Sequence, residues 1–173
     1  MARRAFFSFH YRPDIWRVSQ VRNSWLLSGE TNTFLDSASW ESIKRQGAPA
    51  IKAWINRQLR GTSVTVVLIG QHTATRRYVQ YEVRKSFERG NGLLGIYIHR
   101  IRDSRGQASV RGRNPLDDFV VDVAEEPALP IFGGSISRKR RLSALFRTYD
   151  WALDDGRKNI GRWIEDAARR AGR

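Results

Sequence analysis

Apolar and polar residues follow two alternating periods through the first half of the chain. Ala5-Phe6-Phe7-Ser8-Phe9 is a short apolar run and reads as a buried strand. Pro13-Asp14 then opens a helix, in which Ile15, Val18, Val21 and Trp25 recur at helical spacing with Arg17, Gln20 and Asn23 between them. Ser28 to Asn32 reads as a loop, and Trp40, Ile43 and Gly47 suggest a short helix entered through Ser39. Ala48-Pro49 breaks that helix, and Pro49 suits the first turn of the next, which carries Ile51, Trp54, Ile55 and Leu59 on one face and stops at Gly61. Ser63 to Ile69 is a continuous β-branched run, apolar on both faces, as a central parallel strand covered by helices requires. A polar loop, Gly70 to Thr75, leads to a helix from Arg76 to Arg89; Gly90-Asn91-Gly92 ends it, and Leu93 to Ile98 is the next buried strand. Helix and strand alternating in this way predict an α/β doubly wound sheet.

The second half is less regular. Arg102 to Asp118 reads as a long polar loop, Asp118 to Val123 as a further strand, and Pro127 and Pro130 bracket an irregular stretch. Arg138-Lys139-Arg140-Arg141, the densest basic run, reads as a solvated helix start. Asp154-Asp155-Gly156 precedes a last helix with Ile160, Trp163, Ile164, Ala167 and Ala168 on one face. No internal repeat and no strong boundary divides residues 1–173, so a single domain is expected.

Composition narrows the function classes. The 173 residues are 40% hydrophobic and contain no cysteine, which removes disulfides, thiolate nucleophiles and cysteine metal sites together. His10, His72 and His99 are scattered without metal-ligand spacing, so no metal is expected. The run Val66 to Ile69 is far too short to span a bilayer. The opening apolar stretch is cut short by Ser8, His10, Tyr11 and Arg12, which argues against secretion and for the cytoplasm. The net charge is +14 and lies mostly on arginine, whose planar fork favours phosphate and carboxylate oxygens, so an anionic partner fits. No basic motif interleaved with aromatics accompanies that charge, and nucleic acid is not the expected partner.

Candidate chemistry follows from placement. Gly90-x-Gly92-x-x-Gly95 matches the dinucleotide fingerprint by letters, but a helix precedes it and a strand follows; the fingerprint works only in the opposite order. Ligands of an open parallel sheet bind outside the carboxyl ends of its strands. Ser8, Phe9 and His10 end the first strand, Gly70 to Thr75 follow the second, His99 and Arg100 end the third, and the loop with Asp36 and Trp40 reaches the same rim. Glu82 neighbours Tyr78, Val79, Lys85 and Ser86 on its helix, at the edge of the apolar stripe. It is either a surface ion-pair partner of Lys85 or Arg77, or a carboxylate facing that rim.

Two segments carry a resemblance. Arg4-Ala5-Phe6-Phe7-Ser8-Phe9-His10-Tyr11 resembles the opening of TIR-like domains, whose first strand ends in a Phe-Ser-hydrophobic box. Thr73 to Val83 resembles the TIR segment that carries a Ser, an aromatic and then the NAD-cleaving glutamate, and Glu82 falls on that glutamate's place. Val21 to Trp25, Gly61 to Gly70, Tyr149-Asp150-Trp151 and Trp163-Ile164-Glu165 are similar, more narrowly, to the TIR-like proteins of Thoeris antiphage systems. The resemblance implies a flavodoxin-like TIR-type fold, a central parallel sheet flanked by helices with an extra C-terminal helix. It implies NAD as a substrate, not a cofactor, cleaved at the nicotinamide–ribose bond with Glu82 as the catalytic carboxylate. Ser8, Phe9, His10, Asp36, Trp40 and Tyr78 then surround the substrate, with Arg76, Arg77 and Arg100 as candidates for the pyrophosphate. The product would be a cyclic or conjugated ADP-ribose signal that switches on a partner effector after a phage-derived trigger, with assembly into a homo-oligomer. One departure is His10-Tyr11-Arg12, where the family usually has small or acidic residues. Some TIR-like domains are scaffolds without catalysis, and that is the alternative reading.

Overall fold

The computed structural model describes residues 3–27, 42–125 and 136–173. Asp36 and Trp40 lie outside these residues, as do the loop expected at Ser28 to Asn32 and the irregular stretch at Pro127 and Pro130.

The chain begins with β1 (Ala5–Ser8), buried at every position. Helix α1 (Tyr11–Leu27) follows and starts earlier than Pro13. A proline in the first helical turn gives up an N–H that has no intrahelical partner, so the helix extends N-terminally past it. Residues 42–45 are helical, in agreement with the short helix expected around Ile43. Helix α2 (Ala48–Arg60) buries Ile51, Ile55 and Leu59, one residue per turn, and carries its proline in the first turn. Strand β2 (Val64–Ile69), helix α3 (Arg77–Glu88) and strand β3 (Gly92–Tyr97) complete the regular half. Gly90, at φ 67, turns the chain out of α3 into β3, so the glycine-rich stretch is a helix stop and strand entry.

Two features of the second half differ from the sequence reading. Strands β4 (Val120–Glu125) and β5 (Ile136–Arg141) form an antiparallel pair of their own, apart from the main sheet. The basic run Arg138 to Arg141 is therefore strand and not the start of a helix. Cross-strand pairing of Arg138 with Val123 and of Arg140 with Val121 sets its conformation. Beyond the short helix α4 (Leu142–Leu145), β6 (Thr148–Asp150) joins the main sheet. Its three residues are too few to show a strand period. Helix α5 (Gly156–Arg170) buries the Ile160, Trp163, Ile164, Ala167 and Ala168 stripe as expected.

The main sheet is wholly parallel in the order β1-β2-β3-β6, with β2 and β3 inside. The side-chain period of two distributes β2 to both faces. Val64, Val66 and Leu68 pack with Val18, Val21 and Trp25 of α1 and with Ile160, Trp163 and Ile164 of α5. The C-terminal helix thus covers one face together with α1. On the other face Val67 and Ile69 meet Val79 and Val83 of α3, with Leu116 and Leu142 beyond. Phe6 of β1 packs there under Ile51, Ile55 and Leu59. At the far edge Tyr149 of β6 stacks on Trp163, ring centroids 4.1 Å apart and planes within 4°. Among the described residues no helix is long and apolar enough to cross a membrane.

Val67 is fully buried in this two-sided layer. Val67→Asp places an unpaired charge there at a cost of several kcal/mol, a large part of a domain's ~5–15 kcal/mol of stability. The variant should be insoluble or melt without a cooperative transition in circular dichroism; a soluble protein with an unchanged melting temperature would contradict the interior position of β2.

Candidate active site

The end of β1 and the middle of α3 meet at Ser8 and Glu82. The alternation that turns Ala5 and Phe7 towards α1 and α5 turns Phe6 and Ser8 towards α2 and α3. On α3 the buried positions Val79, Glu82, Val83 and Ser86 fall at helical spacing, so Glu82 lies within the inward stripe. The Ser8 hydroxyl donates to the Glu82 carboxylate. Ser86 Oγ donates to the Glu82 carbonyl at 2.7 Å and sits 2.7 Å from Thr65 Oγ1 of β2, which fastens this turn of the helix to the sheet. Lys85, the alternative partner for Glu82, pairs instead with Glu88 at 2.6 Å.

Burial raises the Glu82 carboxyl from its ordinary 4.5 to about 8, and the Ser8 hydrogen bond opposes part of that rise. A carboxyl so placed is neutral in the empty site at neutral pH. A cation set against it would favour its ionised form.

Glu82 forms part of the wall of a cavity of about 270 Å³. Phe9, His10, Tyr11 and Arg12 border it from the β1–α1 junction, Arg76, Tyr78 and Val79 from the start of α3, and Lys44 from the segment before α2. The rings of Phe9 and Tyr11 are stacked with centroids 6.0 Å apart. The Arg77 guanidinium lies 4.6 Å over the Tyr78 ring and donates to its hydroxyl at 2.5 Å, which steadies that wall. Burial, then the charges of Arg76 and His72, hold His10 below its ordinary value, so the ring is neutral. Just behind, Asp14 is buried against Gly70, where a side chain would have no room, and burial lifts it to about 6.

Of the residues singled out in the sequence, Phe9, His10, Arg76, Tyr78 and Glu82 therefore line one cavity, and Ser8 reaches it through Glu82. Ser8 is 1% exposed, so its position suits holding the carboxylate better than touching a ligand. Asp36 and Trp40 fall outside the described residues. His99 and Arg100 do not line the cavity; Arg100 pairs with Asp150 at the end of β6, 3.2 Å away. Tyr11, Arg12 and Lys44 line the cavity as well, and none of them was an expected site residue. The signal for Tyr11 and Arg12 was the departure His10-Tyr11-Arg12 directly after β1, and for Lys44 nothing in the local pattern separates it from a solvated cation.

The family model described as "Thoeris protein ThsB, TIR-like domain" matches residues 6–103. A Bacillus cereus (strain MSX-D12) protein described as "Putative cyclic ADP-D-ribose synthase ThsB1" is 36% identical over 191 aligned positions, covering 95% of this chain and 100% of the relative. The chain belongs to the TIR-like ThsB family of Thoeris proteins. The family inferred from Arg4 to Tyr11 and Thr73 to Val83 is the one found; the matched region takes in the second segment whole and the first from Phe6 onward. The parallel sheet flanked by helices is the architecture that the resemblance implied.

The raised Glu82 value has a consequence for stability. Below 4.5 the folded and unfolded carboxyls are both protonated; between 4.5 and about 8 the folded state keeps a proton that the unfolded state has lost. Stability therefore declines as pH rises through that window. Asp14 acts in the same direction but only up to about 6, and the histidines held below 6.5 act oppositely below that value, so pH 7 to 8 isolates Glu82. The wild-type melting temperature should fall from pH 7 to pH 8, and Glu82→Gln should flatten that fall. An identical slope in both proteins would mean that Glu82 is not held protonated.

Proposed function

We propose that the protein cleaves the nicotinamide–ribose bond of NAD and converts the ADP-ribose part into a cyclic or conjugated signal. The observation that carries this reading is the buried Glu82 carboxyl in the wall of a cavity bounded by aromatic faces and cations. The description of the Bacillus cereus relative as a cyclic ADP-D-ribose synthase supports the same chemistry.

NAD is here the substrate, and its pyridinium ring brings the cation that favours the ionised form of Glu82. In the reaction the ribose C–N bond breaks with its electron pair moving to the ring nitrogen. Nicotinamide leaves neutral, so no strong general acid is needed, and positive charge develops on the ribose. The Glu82 carboxylate, held by the Ser8 hydroxyl, stabilises that charge and can accept hydrogen bonds from the ribose hydroxyls. The ribose carbon then takes an oxygen or nitrogen of the acceptor, which releases a proton. Water as acceptor gives ADP-ribose, whereas a group of the same molecule gives a cyclic product. Phe9, Tyr11 and Tyr78 form the wall that limits water and so biases the choice. Arg12, Lys44 and Arg76 at the same cavity suit the pyrophosphate, in preference to Arg77, which is engaged with Tyr78, and Arg100, which is paired with Asp150. In this reading the protein works in the cytoplasm, responds to a phage-derived trigger, assembles with further copies and signals to a partner effector through the product.

Glu82→Gln keeps size and helix propensity and should fold normally, yet lower NAD turnover by ~10²–10³, as loss of preorganised electrostatic stabilisation does. Glu88→Gln on the exposed side of α3 should leave turnover unchanged. Product analysis by mass spectrometry with NAD as substrate measures both. Full turnover by Glu82→Gln would refute the assignment. A chain that cleaves no NAD under infection-like conditions would leave the scaffold reading.

The free enzyme must also lose the Glu82 proton before the carboxylate can act. For the wild type, kcat/KM should therefore rise with pH through a midpoint near 8 and level off only above it. A profile that is flat between pH 6 and 8.5 would refute this role for the proton.

A further inference from the structure

A second groove, of about 480 Å³, lies at the opposite edge of the sheet, outside β3 and β6. Arginines from three separate parts of the chain line it: Arg111 from the segment after β3, Arg147 just before β6 and Arg170 at the end of α5. No carboxylate is among the lining residues. The carboxylates around it are engaged elsewhere: Asp118 with Arg113, Asp150 with Arg100, Asp166 with Arg169 and Glu165 with Arg3. Among the described residues, Arg147 and Arg170 have no ion pair or side-chain hydrogen bond, and Arg111 has only an aromatic ring beneath it. Most cations of a protein with net charge +14 would be expected to spread apart, because like charges repel. Three unpaired guanidinium groups on one concave surface run against that expectation.

The groove is also held in shape. The Arg111 guanidinium lies 4.1 Å from the centroid of the Tyr97 ring, which fixes its plane and leaves its N–H edge free. The neighbouring Gly112 packs so closely that a Cβ there would come within 2.0 Å of the Gly70 carbonyl oxygen, which pins this segment to the end of β2. Asn114 donates to Thr148 Oγ1 at 3.0 Å and accepts from the Leu116 amide at 3.1 Å, joining the same segment to β6. The Ser143 hydroxyl on the groove has no hydrogen-bond partner among the described residues. One guanidinium held over a ring, two more on the same groove, a free hydroxyl and no acid among them match the oxygens of a phosphate group, which Arg binds in bidentate fashion.

We infer that this groove is a second anion site, distinct from the Glu82 cavity, and that it takes a small ligand carrying a pyrophosphate or two closely spaced phosphates. Its residues share no member with those around Glu82, so the inference stands whether or not the protein cleaves NAD.

The probe is inorganic pyrophosphate, titrated calorimetrically at constant physiological ionic strength into full-length protein carrying Arg76→Gln, which weakens binding at the Glu82 cavity. Saturable binding near one equivalent is expected. Arg147→Gln should weaken it about tenfold, consistent with one lost charge-assisted interaction, and Arg147→Lys should restore part of the loss. Adding Arg111→Gln and Arg170→Gln should abolish it. All three side chains are exposed, so the unliganded melting temperature should stay within a few degrees, and the single variants serve if the combined one misfolds. Absence of pyrophosphate binding, equal affinity for sulfate at matched ionic strength, or binding unchanged in the combined variant would each overturn the inference.

Discussion

The contact between the Ser8 hydroxyl and the Glu82 carboxyl joins the fold to its chemistry. A carboxyl removed from water is tolerable only when it is neutral, hydrogen-bonded or opposed by a cation. Among the described residues Glu82 is paired with one hydroxyl and with no cation, and the compensating positive charge is left for a ligand. Register makes this possible: Ser8 pairs with Val67 of β2, and a shift of β1 by one residue would turn Ser8 to the α1 side and Phe7 towards Glu82. Thr65 and Ser86 secure the other partner, because their hydroxyls tie the backbone of Glu82 to the same strand. The exact pairing of β1 with β2 and the seating of α3 on β2 are therefore requirements of the site as much as of the core.

Much of this arrangement was legible in the sequence, for identifiable reasons. Val64 to Ile69 declares a two-sided strand because every residue in it is buried, and the stripes of α2 and α5 declare their faces because one side meets the sheet and the other meets water. Glu82 could be placed at the edge of such a stripe, but periodicity does not separate a carboxylate that pairs with Lys85 from one that pairs with Ser8, seventy-four positions away. What resolved that choice was the strand-to-helix contact, which is tertiary. The same limit explains β6 and the β4–β5 pair. Thr148 to Asp150 is held by β3 and by the Tyr149–Trp163 stack, and Arg138 to Arg141 is extended because Val120 to Val123 lies alongside. Four consecutive basic residues carry no strand signal of their own.

The distribution of charge gives the molecule two contrasting concave regions. Around Glu82, a buried carboxyl shares one cavity with aromatic rings and cations, which suits a ligand with both a positive ring and negative phosphates. At the other edge Arg111, Arg147 and Arg170 line one groove whose lining residues include no acid. Arginine suits both, but for different reasons: at the first it can grip one end of a ligand, and at the second its fork is the main recognition element. The excess of arginine over lysine in the chain thus has local meaning beyond its sum.

The two edges of the sheet are short, four residues in β1 and three in β6. A strand edge normally exposes a row of amide and carbonyl groups on which another chain can template itself. Here the outermost strand offers very few of them, and what secures it is largely the flat stack of Tyr149 on Trp163 rather than a long ladder. Copies of this protein are consequently poor at extending the main sheet across molecules, and the longer edges among the described residues belong to the six-residue β4 and β5. At the main sheet, contact between copies is thereby steered towards side chains on helices and loops, which can be broken and remade without unzipping backbone.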